Sequence, residues 1–126
     1  MPSPIPANEN DRLAELRRLR ILDTLPQQAF DSLTTLAAGI CGTPIALISL
    51  VDENRQWFKA RHGIELAQTS RDESFCAHAI LDPQGVLVVQ DATRDVRFQN
   101  HTMVRSGELL FYAGAPIVSA SGAALG

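Results

Sequence analysis

The sequence predicts an α+β domain in which a few helices flank a largely antiparallel sheet. Three observations carry that expectation. Two stretches near the N-terminus hold helical apolar spacing, four short β-branched or aromatic runs follow between turn-forming residues, and 126 residues with 45% hydrophobic content suffice for one core. Strands that short, joined by tight turns, pair antiparallel more readily than parallel.

Residues 1–9 read as a flexible leader, with three prolines, Pro2, Pro4 and Pro6, and no periodicity. The domain then spans 10–126. From Asp11 to Leu22 the leucines Leu13, Leu16, Leu19 and Leu22 recur every third residue among charges, which predicts an amphipathic helix able to pack inward or against a partner. Arg17, Arg18 and Arg20 lie beside Asp11, Glu15 and Asp23 and read as its solvated face. Thr24-Leu25-Pro26-Gln27 has the form of a capping box, so a second helix is expected from there, with Phe30, Leu33, Leu36, Ala37 and Ile40 on its inner face. Gly42 supplies a left-handed end and Pro44 a stop.

PIALISLV (44–51) is a strand expected to be covered on both faces, and Asp52-Glu53-Asn54 turns the chain. Gln56 to His62 alternates and reads as its hairpin partner nearer the sheet edge. Ser70-x-x-Glu73 is a second capping box, predicting one helix from Arg71 to about Leu81. Val86–Val89 is a short strand. The polar stretch 92–108 is an irregular excursion with about one helical turn. Leu109–Val118 is the next strand, and Ser119–Gly122 turns into the start of a fifth.

Charge and composition exclude several functions. The net charge is −3 with scattered cations, which lacks the basic footprint of nucleic-acid binding. No apolar run reaches membrane-spanning length and no signal-peptide pattern opens the chain, so a cytoplasmic protein is expected. The His and Cys spacings match no zinc pattern, and the glycines match neither a P-loop nor a dinucleotide fold. No metal site is expected, and the residues name no cofactor.

The chemistry-bearing stretch is SRDESFCAHAIL (70–81). On a strand, Cys76 and His78 would share a face and could share a proton. On the expected helix, residues two apart are turned by about 200° and diverge. Cys76 then joins Phe75, Ala79 and Ile80 on an inward face as a small buried hydrophobe, while His78 is either a structural hydrogen-bonding histidine or a ligand-facing one. Asp91, Asp95 and Arg97, with Arg71 and Asp72, either line a polar pocket mouth or cap turns and pair on the surface.

Four segments in order, 21–64 (ILDTLPQQAF to ARHGI), SRDESFCAHAIL, VVQDATRDVRF and FYAGAPI, closely resemble the N-terminal GAF domain of bacterial sensory proteins, over about Asn10 to Gly126. The resemblance implies a PAS-like central antiparallel sheet with flanking helices and a small-molecule pocket. Its walls match SRDESFCAHAIL and DATRDVRF, which makes Phe75, Cys76, His78, Asp91 and Arg97 the candidate ligand-binding residues. It further implies homodimerisation and a covalently linked output domain, commonly a diguanylate cyclase, a phosphodiesterase or a histidine kinase. Two positions depart from the family pattern: His101 follows Asn100 where relatives often have Pro, and Leu110 stands where they often have a basic residue. The family normally continues into further strands and a helix. The chain is therefore expected to be a domain incomplete at its C-terminus, or one that completes its sheet by dimerising or swapping.

A non-catalytic sensor is the leading expectation. The alternatives are a thiol-dependent reductase using Cys41 and Cys76, and a ligand-free dimerisation scaffold built on the Leu13–Leu22 stripe.

Overall fold

The computed structural model describes residues 3–126; Met1 and Pro2 of the expected leader lie outside the described residues. The elements run α1 (Glu9–Arg18), α2 (Gln28–Cys41), β1 (Ala46–Val51), β2 (Arg55–His62), β3 (Gln68–Ser70), α3 (Cys76–Ala79), β4 (Leu87–Val89), α4 (Thr102–Arg105) and β5 (Tyr112–Gly114), with single 3-10 turns at Arg71–Glu73 and Ala92–Arg94. The arrangement is α+β with antiparallel pairing throughout.

Helix α1 carries Glu9 and Asp11 in its first turn and Arg17 and Arg18 in its last, both favourable to the helix dipole. It ends four residues before Leu22. A three-residue repeat turns by about 300° per step, so a leucine stripe of that spacing drifts around the helix instead of holding one face. Leu13 and Leu16 are buried while Leu19 is exposed, and the chain reverses at Arg20, whose φ is 52°. Leu16 enters a core cluster with Leu50, Trp57, Ala123 and Leu125, and Ile21 and Leu22 pack on it from beyond the helix. Arg12, on the same helix, is fully buried: its Nη1 donates to the Val51 carbonyl at 2.6 Å and its Nη2 to Glu9 at 2.9 Å.

The Thr24–Gln27 capping box does not form. Thr24 donates its hydroxyl to the Ile21 carbonyl and accepts from Lys59 Nζ at 2.7 Å, so its oxygen is engaged elsewhere and α2 starts at Gln28. The helix ends as expected on Gly42, with φ 64°. Its inner face differs from the expected one. Thr34 and Ala38 are buried against the sheet, whereas Leu33, Leu36 and Ile40 are exposed. The small side chains let the helix axis approach the strands, and the large ones are left on the open side.

Strand β2 is central and not an edge, because β1 pairs with one side of it and β3 with the other. Its residues Gln56 to Ala60 are consequently buried on both faces. β1 is less covered than expected: Leu50 and Val51 are buried, but Ala46 to Ile48 are not. β3 was not anticipated, since a three-residue strand has too little pattern to detect. β4 and β5 form a separate two-stranded sheet, so the single central sheet is split, and the Leu109–Val118 strand is reduced to Tyr112–Gly114. Residues 123–126 join the halves. Val51 N–H donates to the Leu125 carbonyl at 2.8 Å, and Ile117 N–H donates to the Gly126 carbonyl at 2.7 Å. Beside this junction an apolar groove of about 450 Å³ lies between Ala46, Leu47 and Ile48 of β1, Ile117, and Phe30 and Ala37 of α2.

Gly63, after β2, has φ 81°, and a Cβ there would collide with the Pro44 carbonyl oxygen. Gly63→Ala is therefore expected to lower the urea midpoint, with a loss of about 1–3 kcal/mol from backbone strain alone; an unchanged midpoint would show that the turn can rearrange.

Candidate functional site

The segment 70–81 does not form one helix. Ser70 is extended within β3, paired with Arg55, so it caps nothing. Residues Arg71–Glu73 make one 3-10 turn, Ser74 returns to extended backbone (φ −114°, ψ 120°), and α3 begins at Cys76. Ser74 provides the cap that Ser70 was expected to provide: its Oγ accepts from Ala77 N–H at 3.0 Å and donates to Gln56 Oε1 at 2.7 Å, both contacts buried. A side-chain amide from β2 thus selects which serine starts the helix.

Cys76 and His78 diverge, as residues two apart on a helix must. The Cys76 sulfur lies 2.9 Å from Ser49 Oγ and 3.2 Å from Tyr112 Oη, inside the domain. Burial pushes its thiol pKa up, and the hydrogen bonds from Ser49 and Tyr112 only partly oppose that. Burial likewise raises the Tyr112 hydroxyl, helped by the neighbouring sulfur. Neither group is poised to ionise near neutrality.

His78 faces the other way, onto a cavity of about 320 Å³ bordered also by Glu73, Ser74, Arg97, Phe98 and His101. Phe98 organises this site. Its ring stacks on Phe75 at 4.1 Å between centroids, meets the edge of His78 at 4.7 Å, and has the Arg97 guanidinium 5.1 Å from its centroid. Arg97 donates to both Asp95 oxygens, at 2.9 and 2.7 Å, which lowers the Asp95 carboxyl pKa and fixes the guanidinium at the cavity mouth.

His101 holds the opposite wall. Its Nδ1 accepts from Met103 N–H at 3.1 Å, which caps α4 and assigns the ring hydrogen to Nε2. Nε2–H then donates to the Glu73 carbonyl at 2.7 Å, and the Glu73 carboxylate accepts from the Thr102 hydroxyl at 3.1 Å. By contrast the imidazole of His78 hydrogen-bonds nothing among the described residues.

Of the five expected site residues, His78 and Arg97 border the cavity. Phe75 lies behind it, supporting Phe98 within a cluster that includes Val89, Ala92 and Val104. Cys76 points toward Ser49 and Tyr112, away from the cavity. Asp91 caps the Ala92–Arg94 turn by accepting from Thr93 N–H at 3.0 Å and stays on the surface. Glu73, Ser74, Phe98 and His101 were missed as site residues. Phe98 lies in the DATRDVRF segment already singled out, whereas His101 depends on a partner 28 positions away that no local pattern announces. Among the described residues, no group of three or more His, Cys, Asp or Glu side chains could hold a metal ion, and no helix is long and apolar enough to cross a membrane.

The GAF domain family model matches residues 25–126, which covers both the sheet and the cavity. The chain belongs to the GAF domain family. This GAF domain is 44% identical over 125 residues to a cyclic di-GMP phosphodiesterase of Pseudomonas aeruginosa; the match takes in 98% of the chain but only 21% of that relative. The chain thus spans about a fifth of the curated relative it matches. A structural neighbour, the A. aeolicus nlh2 GAF domain crystallised in an inactive state, superposes with a TM-score of 0.58 at 16% identity, over 93% of this chain and 75% of that one. It supports the fold alone.

Within the GAF domain, His78 is pushed below its ordinary 6.5, first by burial, next by the charge of Arg97, with Asp95 opposing. A histidine depressed in the folded state takes its proton first in the unfolded chain, so its presence lowers stability as pH falls through 6.5. His78→Gln is expected to lose less stability than wild type over that descent. In NMR titrations, Arg97→Gln should move the His78 midpoint up, because a cation leaves and Asp95 is released; an unmoved midpoint would contradict the electrostatic assignment.

Proposed function

We propose that this GAF domain is a non-catalytic sensory module: a small molecule held in the cavity between His78, Arg97 and the Glu73–His101 wall regulates a covalently attached output domain in bacterial cyclic di-GMP signalling. The observation that carries this is the half-buried His78 imidazole, which borders the cavity and has no hydrogen-bond partner among the described residues. A polar group in that position is suited to a ligand, since an aromatic floor, a fixed guanidinium and one unsatisfied ring form the usual pairing of apolar body and few polar anchors. The similarity to a cyclic di-GMP phosphodiesterase supports a phosphodiesterase as the attached output, ahead of a diguanylate cyclase or a histidine kinase.

The thiol-reductase alternative is disfavoured by chemistry. Cys41 is exposed, and Cys76 is half-buried with its sulfur against Ser49 and Tyr112 and its pKa raised, which is the opposite of a reactive pair. Mild alkylation of the folded protein should label Cys41 and spare Cys76; rapid labelling of both would revive the enzyme. The dimerisation stripe is disfavoured too, because Leu13 and Leu16 are spent in the core. The exposed Leu33, Leu36 and Ile40 on α2 support homodimerisation through a different face.

Native mass spectrometry of the purified protein tests the sensor. The expected result is a retained small molecule in wild type whose affinity falls at least about tenfold, or 1.4 kcal/mol, in His78→Ala. Equal retention by the variant, or a bare wild-type mass, would contradict it.

A further inference from the structure

One turn of 3-10 helix carries contacts to two distant parts of the molecule. At its first residue, the buried Arg71 grips α1: Nη2 donates to Glu9 Oε2 at 3.1 Å, while Nη1 donates to the other Glu9 oxygen and to the Asp52 carbonyl at 3.1 Å. Glu9 also accepts from Arg12 Nε at 3.1 Å and Nη2 at 2.9 Å, so a single carboxylate joins two buried guanidinium groups. At the next residue, Asp72 accepts from Ser3 N–H at 2.7 Å. At the last, Glu73 is the cavity wall bonded to His101 and Thr102.

The turn between these grips is closed by Ser74 N–H donating to the Arg71 carbonyl at 3.1 Å, which leaves three residues little freedom to flex independently. Two features make Arg71 a place where a small displacement becomes a switch. Removing its partner would strand a buried charge, so the grip is either made or broken, with little between. Its Nε is also buried with no hydrogen-bond partner among the described residues, a rare deficit that leaves the present arrangement one bond short.

We infer that the Arg71–Glu73 turn transmits the state of the cavity to α1: movement of the Glu73–His101 wall changes the hold of Arg71 on Glu9, and α1 in turn sets the wall. The inference rests on the cavity as the sensing site, but the coupling is a property of the chain and is measurable with no ligand present. Coupling between two sites is reciprocal by thermodynamic necessity.

Hydrogen–deuterium exchange on wild type, His101→Ala and Glu9→Gln tests it. His101→Ala is expected to speed exchange across α1 by at least about fivefold, the low end of ordinary allosteric coupling. Glu9→Gln should speed exchange across α3 by a similar factor, with α2 unchanged in both variants. The inference is overturned if each variant loosens only its own side, or if α2 speeds up together with the rest, which is general destabilisation. Should His101→Ala fail to fold, Thr102→Val, which removes an exposed hydroxyl contact to Glu73, gives the same two results to compare. A cavity that retains no small molecule would refute the sensing proposal and leave this reciprocity standing; lost reciprocity beside a retained molecule would refute the coupling alone.

Discussion

The buried contact from Ser74 to Gln56 is the constraint on which the site depends. Gln56 lies in the middle strand of the larger sheet, and its side-chain amide oxygen accepts from the Ser74 hydroxyl in surroundings closed to water. A buried side-chain pair of that kind is costly to leave unmade, so it outweighs the local preference for a continuous helix over 71–81. The break at Ser74 follows. With the break in place, Arg71 and Glu73 are held in their own short turn and α3 starts at Cys76; the thiol and the imidazole diverge on that helix as they would on an unbroken one.

Charge burial gives the same region its second anchor. Burial alone would raise the Glu9 carboxyl pKa, but the hydrogen bonds from Arg71 and Arg12 outweigh it and bring it from 4.5 down to about 2. A depressed carboxyl contributes stability that is present above 4.5 and is lost as pH falls toward 2. Across the neutral range α1 is therefore locked to the β1–β2 turn and to the wall segment at once. Arg12, Lys59 and Arg71 are all buried in a chain of modest size, each with its head group held by a carboxylate, a hydroxyl or backbone carbonyls. Arg12 and Arg71 tie α1 to the β1–β2 end of the sheet, and Lys59 ties β2 to the loop before α2, while α2 itself turns small residues inward and large ones out.

What the sequence made legible was whatever depends on near neighbours. Gly42 ended α2 because a left-handed residue is a local need, and PIALISLV formed β1 because its composition suits a strand. The GAF resemblance rested on ordered segments and held for the fold. Both capping boxes failed for one reason: a Thr or Ser three residues before Gln or Glu is a common pattern, and Thr24 and Ser70 had better partners in Lys59 and in strand pairing. Arg71 stayed open between a pocket mouth and a surface pair, and Arg12 drew no reading of its own, because their partner, Glu9, acquires its meaning only when α1 docks. The cavity was half legible. His78 and Arg97 lie in segments with evident chemistry, but His101 enters through a hydrogen bond to a backbone carbonyl, and a carbonyl has no sequence signature.

A double-mutant cycle on Ser74→Ala and Gln56→Ala, read by urea unfolding, tests the central constraint most directly. The two side chains are predicted to couple by about 1–3 kcal/mol, as contacting buried residues do. Losses that simply add, within about 0.5 kcal/mol, would mean that the pair does not place the break in the site segment, and the geometry built on it would need another cause.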